Sequence, residues 1–302
     1  MAVGTAAAHS RGTGSGSGWV SYAPLVAAHP VPRIDPWWCA LGALVVALAI
    51  QVGTNYANDY SDGIRGTDDA RVGPLRLTAT GLASPSAVKR AALVAFGLAG
   101  VVGLALAWAT SWWVLLVGAA CLLAGWFYTG GPRPYGYVGL GEVFVFVFFG
   151  LVATVGTYYV QTGRLAPAGI WWAGAALGLL ATALLLANNL RDIATDQETG
   201  KRTVAVRIGR RAGGWCYVAC VLAPFVGAVV VGAGLVGSGS QLRWLLLPLL
   251  ALPLAVAPVR LVNGGADRRE LLPVLAATGR LQLAYGALLA VALWQALPSW
   301  HG

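Results

Sequence analysis

Apolar residues in this chain do not alternate; they run. Eight stretches of roughly bilayer length, at 37–57, 88–109, 112–129, 138–160, 168–190, 213–236, 243–262 and 275–297, are almost free of charge. A hydrocarbon core of about 30 Å takes about 20 helical residues to cross, so each stretch predicts one membrane helix. A ninth candidate, 18–30, is shorter and is broken by Pro24 and Pro30. The first 18 residues, rich in Gly, Ser and Ala, predict a disordered tail, and residues 19–302 a single membrane domain. The expected fold class is an all-α polytopic membrane protein with eight or nine transmembrane helices.

Composition agrees with the pattern. Of the 302 residues 58% are hydrophobic and 10% charged, with a mean hydropathy of +0.70, which excludes an ordinary soluble domain. A net charge of +9 suits nucleic acid in principle. Here, however, the cations lie between apolar runs rather than in a polar domain, so the expected partner is a lipid bilayer and not nucleic acid. Connections 58–87, 130–137, 191–212 and 263–274 hold nearly all the Lys and Arg; connections 110–111, 161–167 and 237–242 carry Arg164 and little else. The positive-inside rule puts the first set in the cytoplasm. Eight spans then place the N-terminus outside, and nine place it inside. Cys39, Cys121, Cys216 and Cys220 all fall in apolar stretches and read as packing residues.

The acids change the picture most. Seven of the 11 Asp and Glu residues occupy two short runs: Asp59, Asp62, Asp68 and Asp69 in the first, Asp192, Asp196 and Glu198 in the second. Carboxylates beside a membrane are costly and mark function. Asn58 and Asp62 are four apart and share one side of a helix end, with Asp59 beside them; Asn188, Asp192 and Asp196 form a second ladder at the same spacing. Both runs fall on the same cytoplasmic side. Mg²⁺ takes hard oxygen ligands, commonly a few carboxylates plus substrate phosphate. Two facing ladders can therefore hold two Mg²⁺ ions bridging a diphosphate. Arg65, Arg71, Arg76, Arg191, Lys201 and Arg202 lie in the same loops and can grip phosphate. The competing structural reading is helix capping by Asn and Asp, with Arg setting topology. Two runs on one side, each with cations, favour the ligand reading.

Glu142 is the other isolated acid, at the start of a very apolar helix. It can polarise an aromatic hydroxyl of a substrate, or it can cap the helix or pair with Arg133. His9, His29 and His301 are all near the termini, which argues against a histidine base. The Trp residues at 112–113, 171–172 and 300 read as interface anchors.

Three stretches carry a family resemblance: NYANDYSDGIRGTDDARVGPLRLTATGL, GWFYTGGPRPYGYVGLGEVFVFVFFG and LLLANNLRDIATDQETGKRTVAVRIG. With them the chain resembles the UbiA superfamily of intramembrane prenyltransferases, and within it the 1,4-dihydroxy-2-naphthoate polyprenyltransferases of the actinobacterial kind. The resemblance spans about residues 37–297. It implies nine helices around a lipid-open central cavity with a cytoplasmic cap, in the cell membrane. It implies Mg²⁺ at Asn58, Asp59, Asp62, Asp192 and Asp196, and a diphosphate grip by Arg65, Lys201 and Arg202, with Arg76 as a further candidate. Tyr128 and Asn55 would stabilise an allylic cation, which the naphthoate ring attacks as it loses its carboxylate, giving demethylmenaquinone.

Two departures stand out. The superfamily spacing Asn-x3-Asp-x3-Asp puts a third acid at Gly66, leaving Asp68 or Asp69 as the replacement. The Arg-Pro-x-Thr-Leu-Pro segment that usually leads the first helix has no counterpart in residues 19–36. Other acceptors within the superfamily (a hydroxybenzoate, haem, a sugar phosphate) stay open. So does a small-molecule transporter, although that class expects its ionisable groups near the bilayer midplane.

Overall fold

The structure is a computed structural model that describes residues 36–67, 75–165, 168–233, 240–266 and 268–296. The expected tail, the ninth helix candidate, and Asp68, Asp69 and Arg71 lie outside the described residues.

Among the described residues each apolar stretch is mainly helical, but the boundaries move. The first, α1, runs Pro36–Ile64, so Asn58, Asp59 and Asp62 lie on two further turns of the same helix. After it come α2 (Pro85–Ala109) and α3 (Trp113–Phe127). The helix α2 starts sharply because Ser84 caps it, accepting from the Ala87 amide at 3.3 Å, with Pro85 at its first position. Next is one long span, Gly141–Thr162, made of α4 (Gly141–Val145), a π-helical segment Phe146–Val152 and α5 (Ala153–Thr162). The second half holds α6 (Ala168–Arg191), short α7 (Ile193–Glu198), α8 (Val204–Gly232), a 3₁₀ segment Ser240–Ala251, α9 (Pro253–Asn263) and α10 (Leu272–Ala296).

Among the described residues six helices are long and apolar enough to cross a membrane. Arg243–Ala251 and Pro253–Asn263 form a seventh span if counted as one, bent by 51°. Pro248 and Pro253 account for the bend, since each lacks an amide donor. The stretch at 112–129 forms only the 15-residue α3, about 22 Å long at 1.5 Å per residue.

Packing divides the helices into two groups. One core joins α6, α8, α9 and α10 around Leu180, Tyr217, Leu281 and Tyr285. Smaller cores tie α1 to α2 and α5, through Cys39, Leu106 and Val160, and through Ala57, Ala92 and Phe96. The groups meet where Gly150 of the π segment lies against α6: a Cβ there would come within 2.4 Å of the Gly178 Cα. Helices approach this closely only through small residues, the usual device where lipid provides no hydrophobic drive between helices. Large apolar side chains such as Trp37, Val94, Trp108 and Leu283 face outward, as a lipid-facing surface requires.

Candidate active site

Both acidic runs end in the same way. The helix α1 stops at Ile64; Gly66 takes a left-handed φ of 70°, the Thr67 amide donates to the Asp62 carbonyl at 3.1 Å and the Gly66 amide to the Gly63 carbonyl at 3.3 Å. The helix α7 stops at Glu198; Gly200 has φ 76°, the Lys201 amide donates to the Asp196 carbonyl at 2.8 Å and the Gly200 amide to Gln197 at 3.2 Å. These are paired Schellman caps, each with glycine at the left-handed position. They explain the missing third acid. Gly66 terminates the helix in a conformation that side-chain-bearing residues rarely adopt. The cap on α7 also turns the chain so that Lys201 points back to the cleft.

That cleft is open and polar. It is lined by Asn58, Asp62, Arg76, Tyr128, Asn188, Asp192, Asp196 and Lys201, together with Thr67, Thr129, Tyr137, Asn189 and Thr203. Asp62 is its hub. Its Oδ1 accepts from the Tyr137 hydroxyl at 2.8 Å, and its Oδ2 from the Lys201 ammonium at 3.2 Å. Lys201 also sits over the Tyr137 ring, 4.7 Å from its centroid. The ladder in the second run is broken: α6 ends at Arg191 and α7 begins at Ile193, yet the Asp192 and Asp196 amides still bond four residues back. Asn188, Asp192 and Asp196 therefore all reach the cleft. Thr203, which caps α8, also lies 3.4 Å from Asp196 Oδ2.

The remaining candidates sit elsewhere. Asp59 accepts from the Leu77 and Thr78 amides and does not line the cleft. Asn55 is exposed and donates to the Gln51 carbonyl. The Arg65 guanidinium bonds the Thr129 and Gly131 carbonyls, tying the 129–138 loop to α1. Arg202 is exposed, its amide donating to the Tyr137 carbonyl at 2.8 Å. Glu142 is buried behind the wall; its Oε1 accepts from Asn189 at 2.9 Å, and its Oε2 is buried without a hydrogen-bond partner. Arg191, read from sequence as a phosphate grip, is 2% exposed and forks both oxygens of Asp192 at 2.7 and 2.6 Å. Sequence reasoning passed over Tyr137 and Asn189. The first carries no charge; the second stood in the shadow of its neighbour Asn188, though its place in an otherwise apolar helix was a signal.

Among the described residues no three carboxylates, cysteines or histidines are placed to hold an ion unaided. That suits Mg²⁺, which is commonly held by one or two carboxylates plus substrate phosphate oxygens. Burial, with Asp192 and Asp62 nearby, pushes the Asp196 carboxyl up to about 7 against the pull of Lys201. Hard oxygens crowded in this way fit a divalent cation arriving with a diphosphate.

Residues 19–274 match the model of the UbiA prenyltransferase family. The chain is 47% identical to the 1,4-dihydroxy-2-naphthoate octaprenyltransferase of Mycobacterium leprae (strain TN) over 261 residues, 85% of each chain. It is 45% identical to the enzyme of that name from Mycobacterium tuberculosis over 257 residues, again 85% of each. In structure it is similar to a UbiA homologue from Aeropyrum pernix K1 (TM-score 0.58, 16% identity, 85% of this chain and 95% of that one). It is also similar to a UbiA homologue from Archaeoglobus fulgidus bound to DMAPP and Mg²⁺ (TM-score 0.54, 16% identity, 85% and 91%). Paired acidic helix ends facing one cleft, on an all-helical apolar scaffold that matches over most of its length, leave one conclusion: the chain belongs to the UbiA prenyltransferase family.

Proposed function

We propose that this protein transfers a polyprenyl group from polyprenyl diphosphate to 1,4-dihydroxy-2-naphthoate, at the cytoplasmic face of the cell membrane. The observation that carries the reading is the meeting of Asn58, Asp62, Asn188, Asp192 and Asp196 with Arg76 and Lys201 on one cleft. Hard oxygen ligands beside cations are the donor set that a magnesium diphosphate needs. The names of the mycobacterial relatives support the acceptor and the donor class, and the positive-inside bias supports the orientation.

Two Mg²⁺ ions, held by Asn58 and Asp62 on one side and Asn188, Asp192 and Asp196 on the other, would neutralise the departing diphosphate. Arg76 and Lys201 take part of the same charge, and Arg65 acts through the 129–138 loop that it ties to α1. The allylic C–O bond breaks and its electron pair leaves with diphosphate. Tyr128, on the cleft wall, faces the cation that forms. A ring carbon of the acceptor makes the new C–C bond, and the carboxyl group leaves as CO₂, giving demethylmenaquinone in its quinol form. Glu142 acts from behind the wall, its Oε1 accepting from Asn189 and so orienting that cleft-lining amide toward the acceptor.

The test is purified full-length protein in liposomes with Mg²⁺ and a polyprenyl diphosphate, offered the naphthoate or 4-hydroxybenzoate. A prenylated product is expected with the naphthoate alone, and none after chelation of the metal. Unchanged transfer by both Asp62→Asn and Asp192→Asn would remove the metal assignment; product only with the benzoate would move the acceptor.

A further inference from the structure

The last two turns of α1 present two faces. Asn58 and Asp62 share one and line the cleft; Asp59 and Gly63 share the next, about 100° round the helix. The second face is fully engaged. Asp59 is 5% exposed, and its two oxygens accept from successive amides, Oδ2 from Leu77 at 2.8 Å and Oδ1 from Thr78 at 2.9 Å. Gly63 lies under the same turn: a Cβ there would come within 2.5 Å of the Thr78 Cβ. The turn closes on itself, the Thr80 amide donating to the Arg76 carbonyl and the Ala83 amide to the Leu77 carbonyl, both at 3.1 Å. Arg76, one residue ahead of the clamped Leu77, lines the cleft.

We propose that Asp59 is a positioning residue, whose carboxylate pins the 77–81 turn to α1 and so holds Arg76 in the cleft, while Asp62 alone of these two acids serves the ion. Paired hydrogen bonds to a charged carboxylate are strong and directional, so the turn has one seat. The adjacent acids thus divide between anchoring a cation-bearing turn and facing the ligand. This rests on the diphosphate reading of the cleft, and the experiment separates the two.

Binding of inorganic pyrophosphate is measured calorimetrically on the full chain in detergent, across a Mg²⁺ series. Asp59→Asn keeps the shape but loses charge and one acceptor. It is expected to weaken Mg²⁺-pyrophosphate binding about tenfold, the scale of one lost charge-assisted hydrogen bond, with the Mg²⁺ requirement unchanged. Arg76→Gln is expected to show the same loss, and the double variant to be no worse than Arg76→Gln alone. In turnover, the KM for the prenyl diphosphate rises and that for the acceptor does not. If Asp59→Asn does not fold, Gly63→Ala displaces the turn without touching the carboxylate and is expected to give the same pattern. A raised Mg²⁺ requirement in Asp59→Asn, as expected for Asp62→Asn, or additive losses in the double variant, would overturn the proposal while leaving the cleft reading intact. Failure of the unsubstituted protein to bind pyrophosphate with Mg²⁺ would overturn both.

Discussion

Replacing Arg191 by Met tests whether the second acidic run is held by an internal ion pair. The Arg191 side chain is fully enclosed, and its fork makes two short bonds to Asp192, itself 14% exposed on the cleft wall. Met is of similar length, so packing is largely kept and the loss is electrostatic. Removing one member of a buried pair leaves the other charged and unmatched, at a cost of about 3–5 kcal/mol. At roughly 2–4 °C per kcal/mol for a chain of this order of size, the apparent Tm should fall by about 10 °C. Arg191→Lys keeps the charge but cannot fork, and should fall by roughly a third as much. Arg191→Met combined with Asp192→Asn leaves no bare charge, and should recover most of the loss. The assay is thermal unfolding in detergent with the metal chelated, which removes any offset from a bound ion. An Arg191→Met protein within about 2 °C of the parent, or a double variant no better than the single, would refute the reasoning.

Four further outcomes follow from the same geometry. Asp196 has its carboxyl raised from 3.8 to about 7, so the folded state holds that proton more tightly than the unfolded one. Metal-free protein should therefore lose stability as pH rises from about 4 to about 7 and level off above; the slope in that window should shrink in Asp196→Asn, as read by Tm against pH. Since an ion needs the bare carboxylate, the Mg²⁺ concentration for half-maximal transfer should rise as pH falls below about 7. Tyr137→Phe removes the 2.8 Å bond to Asp62 Oδ1 and should cost about 1 kcal/mol, a roughly fivefold rise in that same Mg²⁺ requirement with the protein still folded. Gly150→Ala forces a methyl against the Gly178 backbone and should lower the apparent Tm by several degrees, since backbone cannot move aside as a side chain can.

Much was legible before any coordinates. Membrane helices carry their signal in composition and length, so the apolar stretches announced themselves. The ladder Asn188, Asp192, Asp196 was readable because spacing survives even the break at Asp192. What misled was charge without context. Arg191 and Arg76 look alike in sequence, yet one is sealed behind the cleft wall and the other lines it. Asp59 and Asp62, three residues apart and only about 60° round the helix, meet different partners because the returning 77–81 turn gives Asp59 its amides.

By itself, then, the chain determined its solvent, its helices, the two oxygen-rich runs and the class of ligand they suit, because each of these is a local property of consecutive residues. The tertiary structure decided which of those residues share a cleft. Tyr137 reaches Asp62 across 75 positions and Lys201 reaches it across 139, distances over which no local pattern carries information. Gly66 shows the division at a single position: as a letter it was a missing ligand, and as a backbone conformation it is the stop that ends α1 beside the cleft.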